Sequence, residues 1–389
     1  MVRVSEFSNI QLKRLSLEFA QELRKASKNE ISELSFDSNK IDNFTQIKTQ
    51  KPFQILYIGG SHIELAIVQK KPNGQTVILE TQNFDLQKIN SSEEFYDIIC
   101  AKISPNIDYL LVNIAAHLKL VSDQKKVDSI LVKNHRIHNL EGLIGKQIGG
   151  ELETQIQQKT GRQIQVSTLN NLVSLGMLAR ENKNNFATTI AGVVATGINF
   201  GFFEGQSNFI NLEAGKWKIG ENQISDIAST KGIIRSYNLQ AEKLNLTKID
   251  SLLGINKILK RQDNSLEFEI LNQLIIQSAK LVATQIAGIY FYKKELLKKH
   301  NLQLKFLLEG SLFWEAFGYK KLVEKTLLEI GLEIGQIHFS RVKFGFILGS
   351  SKSVRIQIIL EEKRVFVIQK LFGFRLSFSW FSLAPPMGI

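Results

Sequence analysis

The architecture of this chain follows most directly from the segment Ala195-Thr196-Gly197-Ile198-Asn199-Phe200-Gly201-Phe202-Phe203-Glu204. Residues 188–195 are apolar and β-prone, Thr196-Gly197 is a turn signal, and residues 199–204 return as a second strand. An earlier segment repeats this pattern, because a strand at residues 53–58 turns through Gly59-Gly60-Ser61 into a strand at residues 63–69. Each hairpin opens a region of alternating strands and helices, which predicts an α/β fold with a mixed sheet and two duplicated domains facing a cleft.

Hydrophobic periodicity predicts the remaining elements. Helices are expected at residues 12–23, 92–102, 140–161, 266–299 and 312–331, and further strands at residues 76–80, 109–115, 165–167 and 306–308. Residues 27–51 form a polar stretch between the first helix and the first hairpin.

Composition excludes several classes of protein. The 389 residues are 43% hydrophobic, which is enough for a large core. The single cysteine, Cys100, excludes an internal disulfide framework, and the first residues lack the apolar stretch of a secretory signal, so we expect a cytoplasmic location. No uncharged run is long enough to span a bilayer, so no transmembrane segment is expected.

The formal net charge of +12 is spread along the sequence. Its densest cluster is Lys293, Lys294, Lys298 and Lys299, which we expect on the exposed end of a helix. No aromatic or groove-reading motif accompanies this charge, so a solvated basic surface is favoured and no nucleic-acid partner is expected.

Seven segments, taken in order, resemble motifs of the hexokinase family of ATP-dependent sugar kinases. Residues 56–63 resemble the first phosphate loop, Asp-Leu-Gly-Gly-Thr-Asn-Phe, and Lys133 precedes Glu141-Gly142 as the lysine of Thr-Lys-Gly-Phe precedes Val-Glu-Gly. Residues 169–174 resemble the Asn-Asp segment, residues 195–204 the second phosphate loop, and residues 211–215 the segment Asn-Met-Glu-Trp-Gly. Residues 278–289 resemble the helix before the adenosine segment, and residues 308–313 resemble Val-Asp-Gly-Ser-Leu-Tyr.

This resemblance implies a two-domain actin-like ATPase (ribonuclease H-like) fold of hexokinase type. The implied organisation is an N-terminal helix and linker at 1–50, a small domain at 51–186, a large domain at 187–350 and an atypical aromatic-rich tail at 351–389. The implied sugar-binding residues are Lys133, Asn170, Asn171, Asn199 and Glu213, and the implied catalytic positions are Asn171 and Lys133. The implied nucleotide- and phosphate-binding residues are Gly59, Gly60, Ser61, Thr196, Gly197, Gly310 and Ser311. ATP and Mg²⁺ are the implied cofactors, and no side chain of this chain is assigned as a metal ligand.

Two positions depart from the family pattern where the chemistry occurs. Asn171 stands where the family has the Asp that takes the proton from the sugar hydroxyl, and Tyr57 stands where it has the Asp that helps to hold the hydrated metal. A carboxamide cannot accept a proton near neutral pH. The remaining alternative is that the register has slipped and that a nearby acid, such as Asp226 or Glu221, compensates.

The C-terminal tail resembles nothing in hexokinases. Aromatic and aliphatic residues alternate with others over residues 372–381, which is a strand-like period of two. Three interpretations remain: an added hairpin on the large domain, sequence altered by a coding frameshift and, least favoured, an interfacial membrane contact.

The expected function is hexokinase-like phosphorylation of a glucose-type hexose at its 6-hydroxyl by ATP, as in glycolysis, with turnover lowered by the substitutions at positions 57 and 171. The alternative is a non-catalytic sugar- or nucleotide-binding pseudokinase that acts as a sensor. A third hypothesis is a structural, partner-binding protein that binds neither ligand. Neither the hexose nor the oligomeric state follows from the sequence.

Overall fold

The computed structural model describes residues 7–41, 45–47, 51–71, 73–122, 126–134, 138–181, 186–333 and 335–356. The strands are β1 (Asp37–Lys40), β2 (Thr45–Ile47), β3 (Phe53–Ile58), β4 (His62–Lys70), β5 (Thr76–Asp85), β6 (Tyr109–Ile114), β7 (Leu118–Ser122), β8 (Val127–Leu131), β9 (Gln165–Asn170), β10 (Thr189–Val194), β11 (Ile198–Glu204), β12 (Asn208–Asn211), β13 (Lys218–Ile219), β14 (Asn222–Gln223), β15 (Leu304–Glu309), β16 (Ile337–Ser340) and β17 (Val354–Ile356). The α-helices are α1 (Asn9–Ser27), α2 (Ser92–Lys102), α3 (Ile148–Thr160), α4 (Asn171–Met177), α5 (Ile224–Ala228), α6 (Thr230–Lys243), α7 (Leu252–Leu259), α8 (Leu266–His300), α9 (Ser311–Glu315), α10 (Tyr319–Ile330) and α11 (Gly345–Ser351).

The first half of the fold is built on a five-stranded mixed sheet. Its strand order is β5-β4-β3-β6-β9, with β3, β6 and β9 parallel and the β3-β4-β5 meander antiparallel. Every residue of β3 and β6 is buried, as expected for central strands covered on both faces. Apolar residues of α2 and α3 form one hydrophobic cluster with this sheet.

The second half is built on a six-stranded sheet in the order β1-β12-β11-β10-β15-β16. Strands β10, β15 and β16 are parallel, whereas β1, β12 and β11 form antiparallel pairs. Helices α1 and α8 pack against each other beside this sheet, and their apolar residues belong to one large core. The α/β fold with mixed sheets that the hairpins predict is therefore confirmed.

Helix α8 is long and apolar enough, by length and composition, to cross a membrane. However, 78% of its apolar window is buried inside the structure, as in the central helix of a globular core.

Three parts of the sequence differ from the predicted elements. The helix predicted at residues 140–161 begins only at Ile148, after a 3₁₀ turn at Glu141–Leu143. The helix predicted at residues 312–331 is divided into α9 and α10, because Ala316 is extended and ends α9, and Gly318, at φ 72°, is left-handed just before α10 begins. The polar stretch at residues 27–51 supplies β1 and β2, which pair with strands far along the chain.

The lysine cluster of α8 is partly mispredicted. Lys293 is only 8% exposed and its ammonium lies 3.9 Å from the centre of the Phe202 ring, whereas Lys298 and Lys299 are exposed as expected. Lys293 is four residues from both Ile289 and Leu297, which are buried, so it shares their face of the helix.

Helices α4 and α11 pack closely between the two sheets. The Ser174 hydroxyl lies 2.7 Å from the carbonyl oxygen of Phe346 and 2.9 Å from the Ser350 hydroxyl. A Cβ at Gly349 would lie 1.9 Å from the Ser174 carbonyl oxygen, so this crossing requires glycine. The residues of the predicted tail beyond Ile356 lie outside the described part of the chain.

Candidate functional site

A cleft of about 1310 Å³ lies between the two sheets. Its walls include the turn after β3, the turn between β10 and β11, and the turn between β15 and α9. The predicted residues on this cleft are Gly60, Ser61, Lys133, Asn170, Asn171, Thr196, Gly197, Asn199, Glu213, Gly310 and Ser311. Gly59 was also predicted, but it is not among the described lining residues. Its carbonyl oxygen lies 3.1 Å from Nε2 of His138.

The Gly310 turn is held against the β10–β11 hairpin. Gly310 has φ 118°, and a Cβ there would lie 2.3 Å from the carbonyl oxygen of Val194. The hairpin itself closes with a hydrogen bond of 2.9 Å from the Ala195 N–H to the Gly197 carbonyl. Only glycine fits at position 310, where φ is positive and the Val194 carbonyl is so near. The Gly310 turn and the β10–β11 hairpin therefore lie side by side along one edge of the cleft.

Glu213 is the most fully coordinated carboxylate in the cleft. Its Oε1 accepts hydrogen bonds from Asn199 (3.3 Å) and Asn211 (3.1 Å), and its Oε2 lies 2.7 Å from the ammonium of Lys216. The Glu213 side chain is 15% exposed, and its backbone is left-handed at φ 48°. These contacts fix the carboxylate at the cleft wall. Lys216, which the sequence reasoning missed, stands three residues away as a local ion-pair partner.

Two of the three asparagines in the predicted sugar set, Asn199 and Asn170, make most of their hydrogen bonds within the protein. Asn199 donates to Asn211 and Glu213 and accepts from the N–H groups of Phe200 and Ala214, which uses its full hydrogen-bonding capacity. Asn199 therefore positions Glu213.

Asn170 caps the N-terminus of α4. Its Oδ1 accepts from Leu172 and Val173, and its Nδ2 donates to the Ala116 carbonyl at 2.7 Å. One N–H of this amide is left for a ligand.

Lys133 reaches the cleft from the first half of the fold. It follows β8 and its side chain is exposed. This position places a cation opposite the wall that carries Glu213.

The two altered positions meet inside the cleft. The side chains of Tyr57 and Asn171 are hydrogen-bonded to each other, and burial raises the pKa of the Tyr57 phenol well above its usual value. Tyr57 is 6% exposed and stacks on Phe346 with ring centres 4.5 Å apart. Asn171 also accepts the Leu172 N–H at 2.9 Å. Both groups are neutral, so this centre offers no carboxylate.

Three cleft carboxylates, Glu64, Glu309 and Glu315, were missed by the sequence reasoning. Glu64 pairs across the β-ladder with Tyr57, and burial raises its pKa. Glu309 ends β15, and burial raises its pKa to about 7, opposed by Arg341 and assisted by repulsion from Glu64. Of the two acids considered earlier, Asp226 lines the cleft, 3.8 Å from Arg235, whereas Glu221 is not among the described lining residues.

The side chains at the first hairpin do not fit Mg²⁺. Hard divalent cations prefer carboxylate and phosphate oxygens, and a buried neutral phenol and a carboxamide replace the expected carboxylates here. Within the described residues, no group of three His, Cys, Asp or Glu side chains is arranged to hold a metal ion.

No protein-family model matches this chain, and a search of curated proteins finds no match. Solved structures do match. The hexokinase from Schistosoma mansoni complexed with glucose is 11% identical, with a TM-score of 0.65 over 90% of this chain and 96% of that chain. Another hexokinase crystal structure is 13% identical, with a TM-score of 0.63 over 90% and 96% of the two chains. A ROK family glucokinase from Streptomyces griseus in complex with glucose and AMPPNP is 14% identical, with a TM-score of 0.51 over 78% and 98%.

Identities this low show a shared architecture and leave the chemistry open. The hexokinase resemblance predicted from the order of the motifs is confirmed at the level of the fold. This chain is a divergent example of the two-domain actin-like ATPase fold of hexokinases and ROK-family sugar kinases, with a cleft between a small and a large domain.

Proposed function

We propose that this chain binds a glucose-type hexose and ATP in the cleft and transfers the γ-phosphoryl group to the 6-hydroxyl, at a rate far below that of related kinases. The observation that carries the proposal is the convergence of Lys133, Asn170 and Glu213 with three glycine-containing turns on one cleft. The proposed domains are those the sequence predicts, 51–186 and 187–350, and the proposed location is cytoplasmic.

Glu213 is the centre of the proposed sugar site. A carboxylate can accept from two vicinal hydroxyls, and one that is already oriented loses little freedom on binding. Asn199 and Asn211 hold its Oε1, and the Lys216 ammonium lies 2.7 Å from its Oε2. The free N–H of Asn170 and the ammonium of Lys133 would donate to other hydroxyls.

The proposed phosphate site consists of the turns at Gly60-Ser61, Thr196-Gly197 and Gly310-Ser311. Glycine-rich turns allow the backbone to approach an oxyanion, and the hydroxyls add donors. Phosphoryl transfer forms a bond from the sugar oxygen to phosphorus, releases ADP and frees the hydroxyl proton. Asn171 cannot take that proton, and losing a general base costs about 10²–10⁴ in rate.

The second candidate function is a pseudokinase that senses a sugar or a nucleotide without transferring phosphate. The hydrogen bond between Tyr57 and Asn171 favours it, because two neutral side chains occupy the positions of both expected carboxylates. Ligand-driven closure of the cleft would then be the functional event.

Sugar binding is tested by thermal unfolding with glucose, fructose and mannose. A ligand at 100 times its Kd stabilises the folded state by about 2.7 kcal/mol, which raises the Tm by several degrees. We expect one of these hexoses to do so. Glu213→Ala should abolish the rise, whereas the exposed control Glu295→Ala should keep it. An equal rise in Glu213→Ala and the parent would show that the sugar site lies elsewhere.

A further inference from the structure

The first phosphate hairpin lacks the negative charge that a metal would need. Tyr57 is buried against Phe346, and its hydroxyl is engaged by Asn171. Glu309, the most buried cleft carboxylate, accepts from the N–H groups of Gly345 and Gly310 and faces Arg341 at 3.7 Å. Two other described carboxylates stand beside the hairpin. Burial disfavours the ionised form of Glu64, and Asp85 is exposed, pairs with His62 across the ladder and is not among the described lining residues.

Cations, in contrast, stand beside both of the other turns. Lys231 is the second residue of α6 and lines the cleft. The N–H of its neighbour Thr230 donates to the Ala195 carbonyl at 2.9 Å, which fixes this end of α6 against the Thr196-Gly197 turn. The buried Ser225 hydroxyl, also on the cleft wall, has no hydrogen-bond partner within the described residues.

Lys343 lines the cleft on the segment that meets the end of β15, just before the Gly310-Ser311 turn. It is two residues before Gly345, whose N–H is bonded to Glu309 at the end of β15. Neither Lys231 nor Lys343 forms an ion pair with a described carboxylate. The Lys343 ammonium lies 5.1 Å from the centre of the Phe344 ring, which leaves its charge open to an anion.

We propose that the cleft binds the nucleoside triphosphate as the metal-free anion, with Lys231 and Lys343 supplying the positive charge that Mg²⁺ supplies in other kinases. This inference rests on the nucleotide site of the proposed function. Ammonium groups bind phosphate as point charges and need no carboxylate partner. The substitution at position 57 then removes a repulsive charge from the bound phosphates.

Calorimetric titration of the full chain with ATP, once in EDTA and once in excess Mg²⁺, tests this proposal. We expect a dissociation constant in EDTA no higher than in excess Mg²⁺, because Mg²⁺ complexes the free anion and neutralises the phosphate charge that the two lysines would contact. Lys231→Met and Lys343→Met should each weaken metal-free binding by about tenfold, the value of one charge-assisted contact. Lys243→Met, at the far exposed end of the same helix, should bind as the parent does.

The outcomes separate this inference from the proposed function. Binding of ATP that requires Mg²⁺, or that survives both lysine substitutions unchanged, overturns the inference and leaves the proposed function standing. Failure to bind ATP in either buffer, with hexose binding retained, overturns the inference and removes the nucleotide half of the proposed function. Failure to bind hexose as well overturns the proposed function as a whole.

Discussion

Tyr57 and Asn171 are hydrogen-bonded through their side chains, so the two departures from the kinase pattern form a single neutral unit. The bond favours the ionised phenol, as expected where the carboxamide Nδ2 of Asn171 donates to the Tyr57 oxygen, while Asn171 Oδ1 accepts the Leu172 N–H. Two carboxylates at these positions would repel each other unless a cation lay between them. The phenol and the carboxamide need no cation between them, so the two side chains are compatible with each other.

The packing of Tyr57 predicts unequal costs for its replacement. Tyr57→Phe keeps the stack on Phe346 and loses one hydrogen bond, so we expect it to lower the free energy of unfolding by about 0.5–1.5 kcal/mol. Tyr57→Asp places a charge in the same apolar cluster and should cost about 3 kcal/mol or more. Urea unfolding of the three proteins measures both values. Equal stability of the Asp and Phe variants would contradict the packing described here.

His138 predicts a loss of stability in mild acid. Its Nδ1 accepts the Ile89 N–H at 3.1 Å and its Nε2 lies 3.1 Å from the Gly59 carbonyl oxygen, an arrangement that suits the neutral ring. Burial lowers the pKa of His138 from its ordinary value of 6.5, so the unfolded chain binds a proton more readily than the folded one. The contribution of the neutral, buried His138 to the free energy of unfolding is present above pH 6.5 and is lost as the pH falls below 6.5. Denaturant midpoints at pH 7.5 and 5.5 should therefore differ less in His138→Gln than in the parent.

Lys293 predicts a stabilising substitution. Burial lowers its pKa from 10.5 to about 8, so below pH 8 the folded state holds a poorly solvated charge. Lys293→Met should raise the free energy of unfolding at pH 7 by about 1–3 kcal/mol, with part of the gain offset by the lost contact with Phe202. The parent should also gain stability between pH 8 and 10.5, and the variant should not. Lys298→Met, on the exposed end of the helix, serves as the control and should change little.

The sequence predicts this fold well where the signal is local. The helix at Ser92–Lys102 and the strand at Phe53–Ile58 match the predicted bounds, because capping residues and apolar runs mark their ends. The pairing of Asp37 with Asn211 was not predicted, because nothing in a short polar stretch specifies a partner far along the chain. The burial of Lys293 could have been found from its spacing to Ile289 and Leu297.

The candidate site also has a part that the sequence predicts and a part that depends on tertiary packing. The residues that the ordered motifs predicted, apart from Gly59, line the cleft, but they are a minority of its lining. Asn171 and Tyr57 were recognised as departures from the sequence alone. That these two residues touch, that Phe346 covers Tyr57, and that Glu309 is desolvated depend on how the two halves pack, which no motif encodes.

The most direct measurement is hexose phosphate formation with ATP and Mg²⁺ by the parent, by Asn171→Asp and by the double variant Tyr57→Asp with Asn171→Asp. All three are assayed below their melting temperatures. We expect slow turnover by the parent and an increase of about 10²-fold or more in the double variant, beyond either single change, because both residues act on one transition state. A parent that turns over at about 1–100 s⁻¹, the usual rate of kinases, would contradict the account.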